Sequence, residues 1–561
     1  MDHAFAYQGM RYGFFVHYVA PSVLYADGRV TQSIDEAADG FDVRGFADDL
    51  DAMRVEYLIF TAWHYRVRPL YPSAVMEAWR PGNCARRDLV GEILEAVSAK
   101  GIRVVLYTHP RDGHDFEDED RVRTGWGLGY EEGRLDTPNP KTFDCAKWND
   151  FMLSLYAELL DRYGRRIDGL YIDGMGPGRF AGGAIGSQSY EFPIIDYMKI
   201  RQIAKSANPN IALIQNYFGY KFTCDFAMPE GFFGYENRHP DTRTWPACEK
   251  ALAVTAFNSW SAGAVKGPNV ARITPEDAAR FTVFQSTCNT AGGVAWASGP
   301  YCGGGWENGV METMTEVGRH MERLGESVKD VVPSTSWPTV SGDTLESRDW
   351  VTASSSRDGM HEYIHIMRKP EDGIVTLPAP QDGASFSDPA VPGGQAAVAE
   401  FRQDQSGLHL RLEGQWDEVD TVVRLARCAN PGAPIVEWRN DTDVRFVYGG
   451  EWVYDFLSEH RSEFHGNYEY DSHTTARDGD WCRTTFEGDV VEVIGPVGPE
   501  GGRADVLIDN ILMGQMDNFA SERRNRQVLF RSGRLYGGRH ELKVIKTGGQ
   551  TIELDAVRII R

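Results

Sequence analysis

From residue 12 to about residue 330, short β-rich apolar runs alternate with segments of helical period, and this alternation limits the folds open to the chain. The runs fall at 12–18, 57–62, 102–108, 167–172, 211–215, 252–257 and 292–297. Between the second and third lies DLVGEILEAVSAKG, where Leu89, Val90, Ile93, Leu94 and Val97 share one helical face and Gly101 takes the C-cap position. Before the fourth comes WNDFMLSLYAELLDRYG, with Met152, Leu155 and Leu159 in one stripe and Gly164 as its stop. Strands separated by helices over some 300 residues imply parallel βα units, and about eight such units imply a closed (β/α)8 barrel. An open doubly wound sheet is the competitor, but no strand is followed by GxGxxG or GxxxxGK[ST].

Beyond residue 330 the helical period vanishes. YIHIMR, GLHLRLEG and TVVRLAR, set between Gly, Pro and Asp turns, predict an antiparallel β-sandwich over 336–430. CANPGAP, 428–434, reads as a linker. DVVEVIGP, ADVLIDN, HELKVIK and DAVRIIR then predict a second β-sandwich over 435–561. The expected organisation is thus a 1–335 catalytic barrel with two C-terminal β-sandwich domains.

Charge narrows the partners. Against 81 Asp and Glu stand 58 Lys and Arg, a net charge of -23. A field of that sign repels phosphate backbones and anionic lipid, so neither nucleic acid nor a membrane surface is an expected partner. No run of 18 apolar residues occurs, and the first residues, MDHAFAYQGMRYGFF, lack the pattern of a secretory signal. The eight cysteines are scattered without a CxxC pair, which reads as buried free thiols, and cytoplasmic location is the expectation.

In a (β/α)8 barrel, functional groups sit where strands end, on the βα loops. In order, those ends offer His17; Trp63 and His64; Tyr107 and His109; Asp173, closing GLYI; Asn216; Glu230 and Glu236 in the next loop region; and Trp260. Carboxylates, histidines and tryptophans at one mouth suit a sugar, whose C–H face stacks on aromatic rings while polar groups bind its hydroxyls. Asp173 is placed to attack an anomeric carbon, although an Asp-Gly turn or a helix N-cap would put an aspartate there too. No HxH or HExxH spacing supports a metal site, no GxSxG elbow supports a serine triad, and no cofactor is expected. The acidic segment 111–120 reads as a solvated loop.

Several motifs, in one order, resemble the α-L-fucosidases of glycoside hydrolase family 29 over about residues 8–335. They are RYGFFVHY, FADDLDAMRVEYLIFTAWH, DLVGEILEAVSAKGIRVVLY, ELLDRYGRRIDGLYIDG, DFAMPE, AGGVAWASGP and TEVGRHMERLGESV. The resemblance puts His17 and His64 on the family's sugar-binding histidines and Asp173 on its nucleophile. It implies a retaining, exo-acting α-glycosidase, with a second carboxyl group about 5–5.5 Å from the first serving as acid and then base. Pro246 stands where one version of the family places that acid, so Glu230 is the leading candidate and Glu236 the next. Tyr18, Tyr65 and Arg66 replace the Trp, His and Asp of the family pattern, and aromatic residues in NYFGY replace an arginine. Such groups touch ring hydroxyls, so the alternative is a barrel glycosidase or transglycosylase acting on another sugar. A non-catalytic carbohydrate-binding protein is the rival from a different class. The final domain resembles galactose-binding-like sandwiches, with Trp438, Tyr448, Trp452, Tyr454 and Trp481 as a possible stacking platform.

Overall fold

The structure is a computed structural model and describes residues 10–64, 66–110, 113, 116–126, 144–173, 195–216, 224–228, 230–232, 251–257, 260–261, 273–288, 293–329, 331–337, 351–380, 382–428, 436–441, 443, 445–456 and 471–561. The seven N-terminal apolar runs form parallel strands, and two short further strands join them: β1 (Tyr12–Val16), β2 (Tyr57–Thr61), β3 (Arg103–Thr108), β4 (Gly169–Ile172), β5 (Ala212–Gln215), the added β6 (Phe226–Ala227) and β7 (Glu230–Phe232), β8 (Leu252–Thr255) and β9 (Val294–Ala297). Their order in the sheet is β6-β5-β4-β3-β2-β1-β9-β8-β7. Only two residues separate β6 from β7. Ile214 pairs with Phe226 and Glu230 with Ala253, so this one stretch joins β5 to β8 and the sheet returns on itself as a TIM-like barrel.

That sixth position corrects the sequence reading, which left Glu230 in a loop. Its two short pieces, FA and EGF, are interrupted at Met228 and Pro229, so no apolar run announces a strand.

Period-2 alternation divides the barrel strands into two faces. Phe15, Tyr57, Ile59, Val105, Tyr107, Tyr171, Ala212, Ile214, Met228, Ala253, Ala295 and Ala297 form the inner cluster. Three tyrosines on one side are matched by alanines of β8 and β9 on the other, which is how a narrow barrel fills its interior. Phe14, Val16, Leu58, Phe60, Val104 and Leu106 face outward into the cluster shared with the helices. The helix Leu89–Ser98 is capped by Asp88, whose carboxylate accepts from Gly91 N–H, and it buries Leu89, Val90, Ile93, Leu94 and Val97 as its spacing predicts. It stops at Ser98, earlier than the sequence reading, and the chain turns away through Gly101 at φ +77°. The helix Cys145–Tyr163 ends at Gly164.

The acidic segment is also corrected. Asp118–Thr124 is helical, and Asp120 forms an ion pair with the buried Arg80 at 2.8 Å. Cys84, Cys224, Cys302 and Cys482 are buried free thiols, while Cys428 is half-exposed.

After the barrel, strands Val331–Pro333, Val351–Ser356, His361–Ile366, Phe386–Ala390 and Thr421–Arg427 form a five-stranded antiparallel sheet. Ile374–Leu377, Gln395–Asp404 and Gly407–Gln415 form a three-stranded one. Ile364, Val423 and Leu425 of the first share a core with Leu408, Leu410 and Leu412 of the second. These sheets belong with the barrel to a compact unit that extends to Asn430. The other unit is chiefly residues 431–561 and consists of three antiparallel sheets around Val491, Val493, Val506, Leu542, Val544 and Val557. Residues 429–434 of the expected linker lie outside the described residues. Among those described, no helix is long and apolar enough to cross a membrane.

Candidate active site

The inward alternation continues past the strand ends and builds the mouth. Beyond Phe15 the next inward position is His17, beyond Tyr107 it is His109, beyond Tyr171 it is Asp173, beyond Ile214 it is Asn216, and beyond Met228 it is Glu230. Five polar side chains therefore converge because each prolongs a strand whose preceding inward residue fills the barrel.

Asp173 occupies the centre. The Tyr107 hydroxyl donates a short hydrogen bond to Asp173 Oδ2, and Asn216 Nδ2 donates to Oδ1 at 2.7 Å. Asn216 is almost fully buried, and its Oδ1 accepts from the Glu230 backbone N–H at 3.3 Å. Burial, then the charges of Asp173 and Glu230, hold the Tyr107 hydroxyl far above its ordinary titration range, so it stays a donor.

Glu230 is 18% exposed at its side chain, with Oε1 4.0 Å from His17 Nε2 and 3.3 Å from the Tyr171 hydroxyl, which donates to it. Burial and the Asp173 charge push its carboxyl well above the usual range, against a smaller lowering by Tyr171. The two carboxyl groups thus differ in surroundings: burial and the Asp173 charge favour the protonated form of Glu230, while Asp173 accepts two side-chain hydrogen bonds.

The histidines form one cluster. The His17 ring lies 4.6 Å from those of His64 and Tyr107, and His64 stacks on Tyr107 at 5.2 Å and 13°. Burial pushes His17 down to about 4, with Asp173 opposing and His109 adding to the shift. It pushes His64 well below its ordinary value, helped by His17 and His109. Both rings are neutral at working pH and offer hydrogen bonds rather than charge. The half-buried Trp260 closes one side, its ring 5.6 Å from Phe15 and 5.9 Å from His17.

Two expected substrate contacts point elsewhere. Tyr18 is 1% exposed, packs on Phe41, and donates to the Ala37 carbonyl at 2.8 Å. Trp63 is fully buried against Tyr156 and donates to the His109 carbonyl at 3.1 Å. Alternation turns Tyr18, next to the inward His17, into the wall between strands and helices, whereas Trp63 joins that outer cluster because the alternation of Tyr57 and Ile59 breaks after Ala62. Tyr171, which the sequence reading passed over, reaches Glu230, and the same alternation marks it as inward. The half-buried Arg66 lies in the loop after His64. Glu236 and Tyr65 lie outside the described residues. Among those described, no group of three or more His, Cys, Asp or Glu is arranged to hold a metal ion.

In the second unit, each of the described aromatic residues Trp438, Tyr448, Trp452 and Trp481 meets a neighbour of its own. Tyr448 stacks on His473 at 4.1 Å and donates to the Asp441 carbonyl, and the Trp452 indole donates to the Trp481 carbonyl. Arg558 lies over Trp438, and Arg483 and Lys543 lie over Trp481. The Tyr454 side chain lies outside the described residues.

Comparison with known proteins gives a consistent relationship. The α-L-fucosidase family model matches residues 16–263. No curated protein matches the sequence. Among solved structures, α-L-fucosidase isoenzyme 1 of Paenibacillus thiaminolyticus superposes with a TM-score of 0.53 at 18% identity, covering 76% of this chain and 99% of that one. An α-L-fucosidase of glycoside hydrolase family 29 from Bacteroides thetaiotaomicron gives 0.53 at 16%, covering 76% and 96%. The α-L-fucosidase of Vibrio sp. strain EJY3 gives 0.52 at 12%, covering 98% and 96%. Residues 16–263 of this chain thus match the α-L-fucosidase family model, and the fold is that of solved fucosidases of glycoside hydrolase family 29 at low identity.

Proposed function

We propose that the protein is a retaining, exo-acting α-glycosidase of the α-L-fucosidase type, with Asp173 as nucleophile and Glu230 as acid/base. One observation carries this reading: two carboxyl groups share the barrel mouth, Asp173 held by Tyr107 and Asn216, and Glu230 driven toward its protonated form by burial and by Asp173 itself. A structural ion pair would place a cation between them. A solved fucosidase of the same fold, trapped as a covalent intermediate with 2-fluoro-fucosyl fluoride, supports the retaining reading.

In the first step an Asp173 oxygen attacks the anomeric carbon while the C–O bond to the leaving group breaks, and Glu230 delivers its proton to the departing oxygen. Glu230 is then ionised. In the second step it takes a proton from water, whose oxygen attacks the anomeric carbon and displaces Asp173, so the sugar leaves with its original configuration and Glu230 is reprotonated. Neutral His17 and His64 and the face of Trp260 bind and orient the sugar.

Azide rescue tests the reading. Asp173→Ala should be folded and nearly inactive on an aryl α-L-fucoside, and azide should restore turnover as fucosyl azide of inverted configuration. Undiminished activity in this variant rejects the assignment. Activity of the wild type on another α-glycoside, with none on fucosides, would leave the mechanism and change the sugar.

A further inference from the structure

The loop that leaves β2 carries His64 into the mouth by an unusual backbone. Val67 N–H donates to the His64 carbonyl at 3.1 Å, closing a turn, and Leu70 N–H donates to the Ala62 carbonyl at 2.9 Å, closing the loop. Inside it, Arg66 has φ +73° and Val67 has φ +45°. Neither is glycine. A β-branched residue in the left-handed region crowds its own backbone, and such conformations persist only where their surroundings enforce them. Val67 is also completely buried.

The enforcing group is Arg80, just after the helix Ala74–Trp79 and 2% exposed. Its Nη1 donates to the Arg66 carbonyl at 2.7 Å and to the Val67 carbonyl at 3.3 Å, the two residues in left-handed conformation. Its Nε donates to Asp120 at 2.8 Å and its Nη2 reaches Asn83 Oδ1 at 3.5 Å. The guanidinium also lies 3.5 Å from the Phe116 ring centroid. Only a planar fork with donors on two sides bridges a carboxylate and a pair of carbonyls in this way.

We propose that Arg80, backed by Asp120 and Phe116, is a positioning residue that holds the His64–Val67 turn in its left-handed shape and so aims His64 at the sugar. The inference rests on the reading of His64 as a sugar-binding group. Among the described residues Arg80 makes no hydrogen bond to Asp173 or Glu230, and its bonds to the Arg66 and Val67 carbonyls tie it to the loop that carries His64.

A variant cycle on the full chain tests it, with Arg80→Gln, Arg80→Lys, Val67→Gly and Val67→Gly/Arg80→Gln, read by steady-state kinetics on 4-nitrophenyl α-L-fucoside, melting temperature, and hydrogen exchange of the peptide spanning 62–70. Arg80→Gln should lose on the order of a hundredfold in kcat/KM, mainly through KM, with faster exchange in that peptide. Arg80→Lys should fall between it and the wild type. Glycine accepts the left-handed conformation without cost, so Val67→Gly should recover much of the lost kcat/KM in the Arg80→Gln background, even though emptying a buried valine site lowers the melting temperature. A merely structural Arg80 gives the opposite: Val67→Gly adds to the damage and KM stays put. That result, or unchanged exchange in Arg80→Gln, overturns the proposal. A wild type inactive on the fucoside would instead reject the proposed activity, and the exchange experiment would still decide whether Arg80 holds the turn.

Discussion

The barrel mouth and the β-sheet cores both bury histidines beside carboxylates, and they treat them in opposite ways. In the sandwich that follows the barrel, His365 and Asp420 are both fully buried, with Nδ1 2.6 Å from Oδ2, while Nε2 lies 3.2 Å from the Ser327 carbonyl. In the second unit His473 and Asp441 form a similar pair at 2.6 Å. Each of these histidines meets its own carboxylate. At the mouth, His17 meets Glu230 only at 4.0 Å, its buried Nδ1 has no hydrogen-bond partner among the described residues, and the two carboxyl groups lie close enough for Asp173 to push Glu230 upward. A fold under selection for stability alone would pair these groups. Leaving them strained against one another is what a reacting site requires.

The sharpest break between the two regions should come from their aspartates. Asp173→Asn should cost on the order of 10³–10⁶-fold in kcat without loss of melting temperature. Glu230→Gln should follow, at about 10²–10⁴-fold on a natural glycoside and much less on a dinitrophenyl glycoside, which leaves without a proton. The same variant should stabilise the fold, with a definite sign. The folded-state titration of Glu230 lies above its ordinary 4.5, so its contribution is fully present below that pH and is lost as pH rises through the raised value. The gap in melting temperature between Glu230→Gln and wild type should therefore be small near pH 4 and open toward neutrality. His17, pushed down to about 4 from 6.5, acts the other way: its contribution is present above about 6.5 and is lost as pH falls toward 4.

Asp420→Ala should invert the pattern, costing about 3–5 kcal/mol of stability by stranding a buried histidine, with kcat and KM unchanged. The smallest effect concerns tuning. Tyr171→Phe removes the hydrogen bond that lowers Glu230, so the limb on which kcat/KM falls with rising pH should move to higher pH.

Much of this was legible in the sequence. Seven apolar runs located seven barrel strand positions, and the strand ends pointed to His17, His64, Asp173 and Asn216. The sixth position is hidden because FAMPEGF is too short and too broken by proline to read as a strand, and Glu230 is hidden with it. Tyr18 turns outward because period-2 alternation from His17 sends it there, and Trp63 turns outward because that alternation breaks after Ala62, which no sequence pattern marks. Applied strictly, that alternation would also have brought in Tyr171. The pairing of Arg80 with Asp120 lay beyond sequence pattern, since it joins the end of one short helix to another helix 40 residues further on.

The central claim is that Asp173 bonds covalently to the sugar. It is tested most directly by incubating the enzyme with 2-fluoro-fucosyl fluoride, digesting it, and sequencing the labelled peptide by mass spectrometry. The account predicts one fluorofucosyl group, on the peptide containing LYIDG and at Asp173, and no label in Asp173→Asn. A label on Glu230 or any other carboxylate, or steady turnover of fucosides with no adduct and inverted product, would contradict it.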